Sequence, residues 1–141
     1  MMKILVPVDG SECSLRAVEY MIKQAGLLRD GADPHLLSVQ HPLPEHVAAA
    51  AGHGNVATYH REQGEQALAQ ARQKLDAAGV KYTHHIVLGE APDAIAQFAR
   101  EQNCDIIVMG TRGLGRMTNM LLGSVATKVI HLTEKPVLLV K

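Results

Sequence analysis

The chain has 141 residues, of which 47% are apolar and 20% charged, which excludes a disordered chain and suffices for one ordinary domain with a real core. Basic and acidic side chains number 14 each, so the formal net charge is zero and nothing in the bulk charge favours nucleic acid or an anionic membrane. Aromatics are 3%, with no Trp and one Phe, which argues against a base-stacking surface and leaves the core to aliphatic side chains.

The opening stretch MMKILVPVDGSE carries too short an apolar run for a signal peptide, since an acid and a glycine follow at once. No run approaches the roughly 20 apolar residues of a membrane span. Cys13 and Cys104 show neither metal nor C-x-x-C spacing. Reduced thiols in a cytoplasmic protein are the expectation.

Strands and helices alternate along the chain. Residues 3–8 (KILVPV) form a short run rich in branched side chains, hence a first strand. Residues 11–30 follow as a helix, with Leu15, Val18, Ile22 and Ala25 at helical spacing and Gly31 in the place of a C-terminal cap. Residues 35–40 (HLLSVQ) read as the second strand. Residues 41–57 look irregular, with two prolines, two glycines and an alanine run. Pro44 can open a short helix through Ala51 there. Residues 58–78 are an amphipathic helix with Ala67, Leu68, Ala71, Leu75 and Ala78 on one face, closed by Gly79. Residues 80–88 are the third strand, and Pro92 opens a helix that buries Ile95, Phe98 and Ala99. The continuous apolar run DIIVM, 105–109, is what a strand covered on both faces requires. Residues 124–132 are the last helix and 136–140 the fifth strand.

Strands separated by helices predict an α/β fold, Rossmann-like, with an open parallel sheet and helices on both faces. Ligands in such sheets sit outside the carboxyl ends of the strands, at the switch in strand order. That places attention on the loops after strands one and four.

The second of these loops reads Gly110-Thr-Arg-Gly113, then nine residues, then Gly123-Ser124. Glycines let a backbone approach an anion closely. Gly123-Ser124 opens a helix, whose free N–H groups and dipole favour phosphate. Ser124 adds a hydroxyl that can cap the helix. The plainer alternative is that these glycines only serve tight turns. Asp9, at the end of the first strand, can accept hydrogen bonds from ribose hydroxyls or merely cap the first helix. A phosphoacceptor role normally needs further acids beside it and a Lys after the last strand, and here Lys135 precedes that strand.

With these residues in view, the chain resembles the universal stress protein family in its ATP-binding branch. PVDGS, MGTRG, GSVATKVI and the terminal PVLLV carry the likeness over essentially the whole of 1–141 as a single domain. Gly110, Gly113, Gly123 and Ser124 match the family's G-x2-G-x9-G-[ST] motif. The resemblance implies a sheet order of 3-2-1-4-5 and ATP as the cofactor, with Mg²⁺ or Mn²⁺ as the accompanying ion. It implies Asp9 on the ribose, with Pro7, Val8, Val39 and Met109 around adenine. It also implies Gly110, Arg112, Gly113, Gly123, Ser124 and Val125 around the phosphates. The match is weakest over 41–57, the family's variable region. That segment follows the second strand on the ligand side, and ordering of it by ATP is expected.

In this order the fifth strand lies at the sheet edge, and Val137-Leu-Leu-Val140 carries no charge. An uncovered apolar edge invites pairing, so a homodimer through strand 136–140 is expected, in line with the family. No P-loop is present, and no base can be placed by the γ-phosphate from sequence. At most a slow ATPase is therefore expected. The reading is a nucleotide-dependent stress-response switch. Its rivals are a slow ATP-using enzyme with a substrate site near 41–57, and a dimerisation module without nucleotide. The histidines at 41, 46, 53, 60, 84 and 85 lack metal spacing and are expected in solvated positions.

Overall fold

The computed structural model describes residues 1–114 and 121–141. Most of the nine-residue spacer in the glycine motif, 115–120, lies outside the described residues. The strands are β1 Met2–Pro7, β2 Ala32–Gln40, β3 Thr83–Leu88, β4 Ile106–Gly110 and β5 Val137–Val140. They form one parallel sheet in the order β3-β2-β1-β4-β5. The helices are α1 Glu12–Ala25, α2 Glu45–Ala51, α3 His53–Ala77, α4 Ala91–Glu101 and α5 Ser124–Leu132.

Two apolar layers sandwich the sheet. Ile4, Val6, Leu36 and Val108 face α1 and α3, where Val18, Met21, Leu68 and Leu75 meet them. Leu5, Leu37, Ile107 and Met109 face α4 and α5, where Ile95, Ala99 and Val129 meet them. Successive strand residues thus alternate between two dry faces, which is why these strands read as unbroken apolar runs.

Some boundaries depart from the sequence expectation. Helix α1 starts with Ser11 as its cap, whose hydroxyl accepts from the Ser14 N–H at 3.2 Å. It stops at Ala25 with Gly26 as C-cap, well short of residue 30. Gly31 instead turns the chain into β2 at a φ of 82°. Strand β2 begins before His35 and includes Pro34, which stands opposite Ile4 of β1. A proline is tolerated where no ladder bond needs its donor, and β3 first pairs one residue later, at His35.

The largest difference is in 41–57. Apart from the stretch before Glu45 and the break at Gly52, it is helical, as α2 and the first turns of α3. Gly52 has a φ of 87°, a backbone state that only glycine adopts cheaply. Helix α2 buries none of its residues. The alanines that hid any periodicity are also the strongest helix formers.

Candidate functional site

The order β3-β2-β1-β4-β5 reverses between β1 and β4, and a cavity of about 230 Å³ opens there at the carboxyl ends of the strands. β1 and its exit contribute Pro7, Val8 and Asp9, and β2 contributes Val39. β4 and its exit contribute Met109, Gly110, Arg112 and Gly113, and the start of α5 contributes Gly123, Ser124 and Val125. Every residue singled out from the sequence as a candidate site residue thus lines one cavity.

Its walls are aliphatic and its rim is polar. Val8 and Met109 are buried, whereas Asp9, Arg112, Gly113 and Ser124 are exposed. Asp9 divides its carboxylate between two tasks. Oδ1 accepts from the Ser11 N–H at 2.9 Å and shapes the entry to α1. Oδ2 lies against Gly113, only 2.6 Å from where a Cβ at that position would stand. Cap and ligand readings of Asp9 are therefore compatible, and the cap itself is Ser11.

The glycines are dictated by close approach. A Cβ on Gly110 would lie 2.9 Å from the backbone carbonyl and Sγ of Cys13 in α1. A Cβ on Gly123 would lie 3.3 Å from Arg112 Cα and the Thr111 carbonyl. The Gly123 N–H donates to that same carbonyl at 2.6 Å, tying the head of the loop to the head of α5. Gly113 needs no left-handed backbone, and its constraint is the Asp9 carboxylate.

Helix α5 begins with Gly123 as N-cap and has no side-chain cap. Its first-turn N–H groups therefore face the cavity without the hydroxyl acceptor that the sequence reading assigned to Ser124. Such a helix end attracts anions. Arg112 adds a cationic rim. Together these features suit a flat apolar group deep in the cavity and an anion at its mouth.

Sequence reasoning missed several wall residues. Ala91 and Ile95 of α4, Leu37 of β2, and Ser14, Thr111, Leu114 and Ala126 complete the lining. Ile95 was legible as buried, but that it reaches the cavity depends on how α4 crosses the sheet. Thr111, 5% exposed, links the loop to the sheet edge, since its N–H donates to the Val140 carbonyl at 3.0 Å. The Cys13 thiol donates to the same carbonyl at 3.3 Å and lies 3.7 Å from the Thr111 hydroxyl. Burial pushes that thiol up, but hydrogen bonds from Arg112 and Thr111 and the charge of Arg16 outweigh it, so its pKa falls below the usual value.

A second, polar recess of about 330 Å³ shares Val39, Ala91, Ser124 and Val125 with the first. His41 bridges to Glu90 at 2.7 Å on its rim. Apart from His41, no residue of 41–57 lines either cavity. Two histidine expectations change as well. His60 is buried in α3, and His85 is half-buried beside a buried His35. Among the described residues, no three His, Cys, Asp or Glu side chains gather into a metal-holding group, and no helix is long and apolar enough to cross a membrane.

Comparison with known proteins gives one consistent answer. The profile described as the Universal stress protein family matches residues 1–141. Universal stress protein MJ0531 of Methanocaldococcus jannaschii is 34% identical over 140 residues, covering 99% of this chain and 81% of that protein. Among solved structures, that of the protein MJ0577 superposes with a TM-score of 0.82 at 28% identity, covering 99% of this chain and 95% of that one. A universal stress protein in complex with cAMP superposes with a TM-score of 0.73 at 27% identity, covering 99% and 97%.

Proposed function

This chain belongs to the universal stress protein family, and we propose that it is an adenine-nucleotide-binding switch of that family with ATP as its ligand. The observation that carries the proposal is the convergence of the glycine motif, Asp9 and the aliphatic strand ends on one cavity. The complex of a 27% identical relative with cAMP supports the choice of an adenine nucleotide.

In this reading the base lies between Val8, Val39 and Met109. Apolar contact supplies affinity there, at about 25 cal/mol per Å² removed from water. The free Oδ2 of Asp9 accepts from ribose hydroxyls. The phosphates lie along Gly110, Arg112 and Gly113, against the uncapped N–H groups at Gly123, Ser124 and Val125. Mg²⁺ or Mn²⁺ would accompany the phosphates and neutralise their charge. Among the described residues no side chain at the cavity mouth is placed as a general base, and Asp9 is committed to Ser11 and, in this reading, the ribose. Turnover is therefore expected well below about 1 s⁻¹. The protein acts in the cytoplasm as a single nucleotide-switched domain.

We also propose that the active form is a homodimer paired through residues 136–140. Among the described residues β5 has β4 as its one neighbour in the sheet, and an apolar edge of that kind invites pairing. Leu139→Pro removes a ladder donor and should yield monomer or aggregate. Wild-type protein sedimenting only as monomer at micromolar concentration would count against the dimer.

The deciding experiment pairs calorimetric titration of ATP with thermal melts of wild type and Gly113→Val. The valine displaces the Asp9 carboxylate and crowds the loop, on an exposed surface where folding tolerates it. Binding should fall below detection with the melt little changed. If Gly113→Val stays folded and binds ATP like wild type, the phosphates do not lie on this loop and the proposal fails.

A further inference from the structure

Beneath helix α4, at the opposite end of the same apolar layer, a chain of three polar groups enters the core. His35 Nε2 lies 3.1 Å from Asp33 Oδ2, and His35 Nδ1 lies 3.0 Å from His85 Nε2. The two imidazole rings are within 10° of parallel with centroids 5.2 Å apart, as rings joined edge to edge through that contact are, and Phe98 of α4 packs on His85 at 4.7 Å. His35 is buried and His85 half-buried.

The hydrogen positions follow from chemistry. The Asp33 carboxylate only accepts, so His35 carries its hydrogen on Nε2 when neutral. Its Nδ1 is then a lone pair and accepts from the His85 Nε2–H. One hydrogen thus holds the two rings together. A single added proton can be accommodated as an Asp33–His35 ion pair if His85 moves its own hydrogen to Nδ1. A second cannot, because hydrogens would then stand on both facing nitrogens and two positive charges would lie about 3 Å apart.

This pair is connected to the cavity through shared packing. Along β2 the residues His35, Leu37 and Val39 share one face, and His85 pairs with Leu37 across to β3. Leu37 and Val39 line the cavity, and so do Ala91 and Ile95, the turns of α4 above Phe98. Strand β2 thus carries His35 at one end and cavity wall at the other, and α4 carries both Phe98, which packs on His85, and the wall residues Ala91 and Ile95.

We propose that the Asp33–His35–His85 chain is an acid-sensitive prop under α4, and that loading it with a second proton loosens the α4 wall and weakens nucleotide binding. The inference rests on the nucleotide reading for its output and on the histidine geometry for its input. The chargeable groups that act on His85 are His35 from β2, His84 on the other face of its own strand and Lys3 from β1, while α4 presents Phe98. Burial first, and then these three positive or chargeable neighbours, hold the His85 pKa below its usual value. In the same apolar layer, burial pushes the Cys104 thiol above its usual value. The sign is fixed by linkage. The unfolded chain binds a proton at His85 near the usual 6.5, the folded one resists it, so stability is lost as pH falls through and below that value.

The test measures ATP affinity by calorimetry at about pH 7.5 and about pH 5.5 for wild type, His85→Gln and His35→Gln. ATP itself and His41 titrate in this range, so the variant difference is the readout. Wild type should lose about tenfold more affinity on acidification than His85→Gln, within the usual span of coupling between sites. Hydrogen exchange of α4 in the ligand-free wild type should accelerate over the same interval. If wild type and both variants change in parallel and α4 exchange is flat, the prop does not exist although nucleotide still binds. If ATP fails to bind at either pH, the nucleotide reading falls, and acceleration of α4 exchange alone then decides the prop. Should His85→Gln fail to fold, His35→Gln and the imidazole NMR titration of wild type carry the test. Two independent titrations near 6.5 would overturn the inference.

Discussion

A Cβ added at Gly110 would press within 2.9 Å of the Cys13 carbonyl, whereas one added at Gly54 would meet nothing within 4 Å. The cavity and the α2–α3 arm are both glycine-rich, yet their glycines have opposite causes. At the cavity, α1, β4 and the head of α5 approach so closely that a side chain has no room. In the arm, helix α2 buries nothing, Gly52 serves a turn of positive φ, and Gly54 has no neighbour within 4 Å. Glycine content alone therefore does not mark a ligand loop. Close contact does not mark one by itself either, since Gly64 of α3 is crowded by Ile86 and lines neither cavity; what sets Gly110 and Gly123 apart is contact with backbone at the strand ends.

The sharpest way to break this comparison is to add one methyl at each end. Gly110→Ala drives carbon into backbone and should cost about 2–3 kcal/mol of stability, as overpacked sites do, read as a lowered urea midpoint at unchanged slope. Gly54→Ala, in the first turn of α3, should instead stabilise by about 0.5 kcal/mol through the unfolded state. Equal effects at the two positions would end the distinction.

Ser124→Ala sharpens it further. The hydroxyl makes no cap bond, so the melt should stay within error. ATP affinity should fall about tenfold to a hundredfold, the worth of a hydrogen bond to a charged group. A melting loss without an affinity loss would return Ser124 to the role of a cap.

A smaller effect is expected where the arm leaves β2. The Pro42 carbonyl and then Glu90 raise the pKa of exposed His41. A raised pKa means that the stabilisation is present below the usual value and lost as pH rises through the raised one. His41→Gln should thus lower the melting temperature slightly at about pH 5.5 and not at about pH 9. The reverse order would show that the contact is not ionic.

The smallest effect concerns α2 itself. Its composition suggested ordering by ATP, but α2 lines neither cavity. Hydrogen exchange over 45–51 should be the same with and without ATP. Strong protection by nucleotide would instead show the ordering by ATP that the sequence led one to expect for 41–57.

Much of the molecule was legible in the chain. Unbroken runs such as DIIVM identify strands buried on both faces, because nothing polar can stand where helices cover both sides. Alternating strands and helices of this length leave a parallel sheet as the economical arrangement, and its switch point selects the loops after β1 and β4. The spacing from Gly110 to Ser124 then points to the loop that lines the cavity, since α1, Asp9 and the head of α5 approach it so closely that only glycine fits at those offsets. What only the tertiary structure decided depends on contacts across the sheet. The alanine run of 48–51 has no periodic apolar face, so only Pro44 and helix propensity pointed to the helix that α2 forms, and no pattern joined residues 53–57 to α3. Ala91 and Ile95 become cavity wall through the angle at which α4 crosses β2. His35 and His85 are 50 residues apart, and nothing in either neighbourhood marks them as partners. The parallel register that sets Leu37 opposite His85 brings their rings together, because pairing between strands is fixed by the burial of whole faces and not by the polar residues carried along with them.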